Sequence, residues 1–128
     1  MFRLSNRSLT KLTGVHPDLV AVVKRAIDIT EVDFAVTCGF RTLEEQKELV
    51  KIGASKTLKS RHLTGHAVDL VAFVGNRTSY DWPLYYKLAA AMKRAASELD
   101  VTIEWGGDWA FDFKDGPHFQ LSWARYPA

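Results

Sequence analysis

Between Ala67 and Val71 the chain sets a carboxylate in the middle of an apolar run, Ala-Val-Asp-Leu-Val. A run of this kind reads as a core strand, where an uncompensated Asp69 costs several kcal/mol or is driven to protonate. Any fold open to this chain must therefore bring a cation to Asp69. An arginine or lysine partner is one solution and a metal ion is the other.

Upstream lies His62, with Gly65 in between to let the chain turn, so a loop-borne imidazole can meet the strand-borne carboxylate. His66 competes for that place because it would share a helical face with His62. If residues 66 to 71 are extended, however, alternation puts His66 on the face opposite Asp69, which makes it a supporting or exposed residue. A third donor is expected from His118, which opens a strand straight after Asp115-Gly116-Pro117. Two histidines and one carboxylate leave a fourth tetrahedral position open, the arrangement of a catalytic rather than a structural zinc ion. Zinc so held lowers the pKa of water to roughly 7 and polarises a carbonyl, which points to amide hydrolysis.

Hydrolysis also needs a group that takes the water proton and delivers it to the leaving amine. Asp115 is placed for this, although Asp-Gly is also a common turn pair. Arg41 stands just before the expected N-cap Thr42, where a cation gains nothing from the helix dipole. Two readings stay open for it: binding a substrate carboxylate or an oxyanion, or pairing at the surface with Glu44 or Glu45. In Trp105-Gly-Gly-Asp-Trp109 the aromatics can line a cleft or fill the core, and core packing is favoured for Trp105. Asp108 is a candidate to orient His62 or His118, and His16 reads as a surface residue.

The surrounding pattern predicts an α+β fold. Leu19, Val22, Val23, Ala26 and Ile27 recur at helical spacing after Pro17, Thr42 to Glu45 has capping-box spacing for a helix to about Lys51, and Pro83 to Leu99 is a third helix. Strands are expected at Phe34 to Cys38, around Asp69, at Val101 to Trp105 and at His118 to Trp123, with a loop from Gly53 to Leu58. Helices would pack on a mainly antiparallel sheet with the zinc site at the strand ends.

Size and charge fit a single domain over residues 1–128: 128 residues with 47% hydrophobic side chains build a core without disulfides, and the lone Cys38 has no internal partner. A net charge of +2 argues against nucleic acid, and the basic stretch with Arg3, Arg7 and Lys11 reads as a solvated terminus. No apolar stretch is long enough to span a bilayer, and the first residues show no signal-peptide pattern, so synthesis inside the cell is expected.

Ser60-Arg-His-Leu-Thr-Gly-His-Ala-Val-Asp69 has the Ser-x-His-x-x-Gly-x-Ala-x-Asp pattern of the zinc D-Ala-D-Ala carboxypeptidase and dipeptidase family, and Asp115-Gly-Pro-His118 resembles its second motif. Gly39-Phe-Arg-Thr42, Trp105-Gly-Gly-Asp-Trp109 and an aspartate before the last ligand look most like the phage endolysin branch, the L-alanyl-D-glutamate endopeptidases. The resemblance runs from about Pro17 to Leu121. It implies one zinc ion on His62, Asp69 and His118, with Asp115 as catalytic base. It further implies that Arg41 meets substrate or oxyanion, Ser60 supports the site by hydrogen bonding, and Trp109 is on the substrate side.

The implied substrate is the peptidoglycan stem peptide, cut by a monomer that collects in the host cytoplasm and reaches the wall once a separate phage protein opens the membrane. Two rival readings remain: a D-alanyl-D-alanine carboxypeptidase or dipeptidase, and a non-catalytic, zinc-stabilised wall-binding or structural module.

Overall fold

The computed structural model describes residues 2–55, 57–109 and 114–127. Position 56 of the expected loop and positions 110–113 before Asp115 lie outside the described residues.

Side-chain caps fix where the early helices begin. Ser5 caps α1 (Asn6–Lys11) by accepting from the Ser8 amide. The sequence reads this stretch as a solvated terminus, and Arg3, Arg7 and Lys11 are exposed. It is nevertheless a helix, anchored because the buried Ser8 hydroxyl accepts from the Val36 amide at 3.0 Å. His16 corrects a second expectation. It is the half-buried N-cap of α2 (Pro17–Ile29), its Nδ1 accepting from the Asp18 amide at 3.0 Å, with Pro17 supplying first-turn geometry. Thr42 and Glu45 form the anticipated reciprocal capping box on α3 (Leu43–Lys51).

α2 buries Leu19, Val22, Val23, Ala26 and Ile27 against α4 (Trp82–Glu98), whose buried stripe of Leu88, Met92 and Ala95 is partly alanine and lets the two helices approach closely. Both cover one face of an antiparallel sheet in the order β1-β2-β5-β4, with β3 also paired to β2; the strands are β1 (Phe34–Cys38), β2 (Ala67–Val74), β3 (Arg77–Ser79), β4 (Ile103–Trp105) and β5 (His118–Leu121). The α+β expectation therefore holds. β3 is an addition: Gly75 and Asn76, both at positive φ, make the two-residue turn that joins it to β2.

Alternation along β2 divides the sheet. Val68, Leu70 and Ala72 join Phe34, Val36, Phe119 and Leu121 in the core beneath the helices, while Asp69 leaves from the opposite face.

Just before β2, a 3-10 turn (Arg61–Thr64) ends at Gly65 with φ of 74°, and the Gly65 carbonyl accepts from the His16 amide at 2.8 Å. A Cβ at this position would run into the Gly14 carbonyl oxygen, so both conformation and space demand glycine. Gly65→Ala is expected to destabilise the protein by roughly 1–3 kcal/mol from the left-handed backbone alone. Denaturant unfolding measures this, and an unchanged midpoint would refute it.

Candidate metal centre and active-site cleft

Register brings the candidate residues together. Asp69 and His118 are direct partners across β2 and β5, so their side chains leave the same face side by side. His62 arrives from the 3-10 turn, whose N-cap Ser60 accepts from the His62 amide at 3.2 Å. An irregularity in β1 between Val36 and Cys38 pairs Cys38 with Asp69 and turns the thiol onto the site face.

The two imidazoles aim at one oxygen. His62 Nε2 and His118 Nδ1 each stand 3.4 Å from Asp69 Oδ1, and neither contact has hydrogen-bond geometry. Oδ1 is buried without a hydrogen-bond partner among the described residues. The far side of each ring explains why. His62 Nδ1 donates to the Gly39 carbonyl at 2.8 Å, and His118 Nε2 donates to Gln120 Oε1 at 2.8 Å. In the neutral rings, the nitrogens that face Asp69 therefore carry bare lone pairs. Three electron-rich atoms converging on one buried point fit a metal cation.

Cys38 offers another donor, since its sulfur, a His62 ring nitrogen and an Asp69 oxygen can all lie within 4.8 Å of one another. Its sulfur, however, stands 3.8 Å from His62 Nδ1, the nitrogen already committed to Gly39, and so sits behind the ring. His118 shares the focal oxygen and is the better third donor.

With no ion present the same focus attracts a proton to His62, which a metal would displace. Burial works against the His62 imidazolium, but the Asp69 carboxylate and the Cys38 thiol outweigh it and push its pKa up to about 10. Burial likewise raises the Asp69 carboxyl, and His118 with His62 more than offsets that, holding it well below the usual carboxylate range.

Around the focus opens a cleft of about 580 Å³ lined by Arg41, Ser60, Trp109, Asp115 and the three donors. Arg41 does not pair with Glu44 or Glu45. Its guanidinium donates to Gln46 Oε1 at 2.7 Å and to Cys38 Sγ at 3.2 Å, and it stands 3.8 Å from Asp69 Oδ2. The arginine and metal solutions for Asp69 thus act on different oxygens. Trp109 lies half-buried with its ring 5.0 Å from that of His118, while Trp105 is in the core.

Asp115 is half-buried in the cleft, and its carboxyl is raised above its ordinary value by burial and by the nearby Asp69 charge. The backbone of Asp115 and Gly116 is clamped at three points: the Asp115 amide donates to the Gly106 carbonyl at 3.0 Å, the Asp115 carbonyl accepts from the His118 amide, and Trp105 Nε1 donates to the Gly116 carbonyl at 2.8 Å. Gly106 packs so closely on Asp115 that any side chain there would displace it.

One assignment needs correction. Asp108 orients neither histidine, because it is exposed and bound to Lys93 at 2.7 Å; Gly39 and Gln120 hold the rings instead. His66 stays out of the centre, as alternation along residues 66 to 71 predicts, its Nδ1 against Thr64 Oγ1 at 2.6 Å and its ring beside that of His16. Gln46, Gln120 and Gly106 were missed by sequence reasoning. For Gln46 the only signal was a polar residue on the inward side of α3, where it is fully buried.

Comparison with known proteins places the chain in a family. The family model described as phage L-alanyl-D-glutamate peptidase matches residues 1–121. The chain belongs to that family. The L-alanyl-D-glutamate peptidase of Escherichia phage T5 is 28% identical over 112 residues, covering 84% of this chain and 82% of its own. The peptidoglycan L-alanyl-D-glutamate endopeptidase CwlK of Bacillus subtilis is 31% identical over 128 residues, covering 84% and 75% respectively. The crystal structure of the Serratia marcescens L-Ala D-Glu endopeptidase ChiX superposes with a TM-score of 0.91 at 48% identity, covering 98% of this chain and 95% of that one.

For this member of the L-alanyl-D-glutamate peptidase family, the raised Asp115 carboxyl has a stability consequence. A carboxyl whose folded pKa lies above its unfolded value favours folding in acid and opposes it increasingly as pH rises. Asp115→Asn should therefore raise the melting temperature of chelator-treated protein at neutral pH, and the gain should vanish below the ordinary carboxylate range. A variant no more stable than the parent at neutral pH would refute the assignment.

Proposed function

We propose that this peptidase uses one zinc ion, held by His62, Asp69 and His118, to hydrolyse the L-alanyl-D-glutamate bond of peptidoglycan stem peptides. The observation that carries the metal reading is Asp69 Oδ1, buried without a hydrogen-bond partner among the described residues, between two imidazoles that each spend the far ring nitrogen on another hydrogen bond. The spacing supports zinc, since bonds of about 2.0–2.1 Å in tetrahedral array put neighbouring donors about 3.3 Å apart, close to the 3.4 Å found here. The bond specificity is supported by the phage and bacterial relatives alike, and a lytic setting, with entry to the wall from the host cytoplasm, by the phage ones. Among the described residues no helix is long and apolar enough to cross a membrane.

A bound zinc ion supplies a Lewis acid for the scissile carbonyl and water that ionises near neutral pH. The chain's own residues do the rest. Asp115 accepts the water proton and returns it to the departing D-glutamate amine, and a carboxyl raised above its normal value holds that proton long enough to deliver it. Arg41, fixed by the buried Gln46 amide, turns its charge toward the cleft, where it can steady the oxyanion without reorganising. Ser60 holds the His62 turn by its cap, and Trp109 gives the substrate an aromatic wall beside His118.

Digestion of purified peptidoglycan with end-group analysis tests this. New L-alanine carboxyl and D-glutamate amino ends should appear, disappear with chelator and return with zinc. Asp115→Ala should lose about 10²–10⁴-fold in kcat, and Arg41→Ala about 10²–10³-fold. Free D-alanine as the product would replace the endopeptidase with the carboxypeptidase, and cleavage indifferent to chelation would sink the metal reading. Wall binding without cleavage would leave the non-catalytic module.

A further inference from the structure

Behind His118 runs a hydrogen-bonded chain of polar side chains that the hydrolytic chemistry does not itself use. His118 Nε2 contacts Gln120 Oε1 at 2.8 Å, and Gln120 Nε2 in turn donates to Glu104 Oε1, also at 2.8 Å. Strand parity builds this row. His118 and Gln120 are two apart on β5 and share a face, while Glu104 is the direct partner of Gln120 across β4 and β5. Gln120 is 5% exposed, so its amide has few other partners to choose from.

We propose that Glu104 is a positioning residue for the metal centre: by accepting only, it dictates which end of the Gln120 amide faces His118, and thereby which nitrogen of His118 is free to bind metal. An ionised carboxylate has no proton to give, so the amide must turn its NH₂ toward Glu104 and its oxygen toward His118. That oxygen can only accept, so the His118 proton is drawn to Nε2 and Nδ1 is left bare toward Asp69. The flipped amide would aim its NH₂ at His118, favour the proton on Nδ1, and close off the lone pair that the metal needs. Glu104 sets a binary choice two side chains away from the ion.

This inference rests on the metal reading above, and its test separates the two. Zinc affinity is measured by competition with a chromophoric chelator, alongside the melting temperature of chelator-treated protein. If the parent binds no zinc tightly, the metal reading itself fails. If it does, Glu104→Leu should weaken zinc binding about 10-fold or more, in addition to the loss of metal-free melting temperature that follows from leaving the Gln120 amide without its acceptor. Gln120→Glu added to Glu104→Leu should restore affinity to within a few-fold of the parent, because a carboxylate accepts from His118 whichever way it turns. A merely structural Glu104–Gln120 contact would lower the metal-free melting temperature and leave zinc affinity within a few-fold of the parent. Unchanged affinity in Glu104→Leu, or a folded double variant that still binds weakly, would overturn the proposal.

Discussion

A buried carboxylate oxygen without a hydrogen-bond partner among the described residues, fixed between two imidazole rings, sets the terms for the rest of the architecture. Asp69 Oδ1 is tolerable only if positive charge occupies the point on which His62 and His118 converge. The two rings are held there by groups that can only accept on their far sides, the Gly39 carbonyl and the Gln120 side-chain oxygen. The preference for a cation is thus imposed by backbone and amide geometry as well as by the carboxylate.

The sheet makes this affordable by keeping its two faces separate. Val68, Leu70 and Ala72 carry the packing against α2 and α4, and the intervening Asp69 carries the chemistry on the other face. Cross-strand pairing extends the division to β5, where Phe119 and Leu121 are core while His118 and Gln120 line the site. The exception is local: the irregularity after Val36 brings Cys38 round to the site face without disturbing Phe34 or Val36.

How far the sequence could be read follows the range of each interaction. The cap at Thr42, the periodic face of α2, the helix-forming composition of α4, and the clash between Asp69 and its apolar neighbours are local patterns, so they were legible. So was the convergence of His62, Asp69 and His118, because a core carboxylate needs a partner and few residue types can supply one. What escaped depends on distant register. Gln120 meets Glu104 only once β4 and β5 are aligned, Gln46 is buried only once the segment that carries Thr57 folds back over it, and the hold of Gly106 on Asp115 needs both loops in place. Asp108 was misassigned for the same reason, since nothing near it in sequence discloses Lys93 on α4. The helix α1 was obscured because its anchor is a single serine rather than an apolar stripe.

The cross-strand pairing of Asp69 with His118 also bears on how the folded chain persists. These donors are far apart along the chain and meet only through β2 and β5, so the unfolded chain offers no comparable pocket. An ion held there acts as a removable tether between the middle of the molecule and its last strand. At a free concentration one hundred times its dissociation constant it would add about 2.7 kcal/mol to the folded state. Metal supply would then govern resistance to unfolding and to proteolysis as well as catalysis.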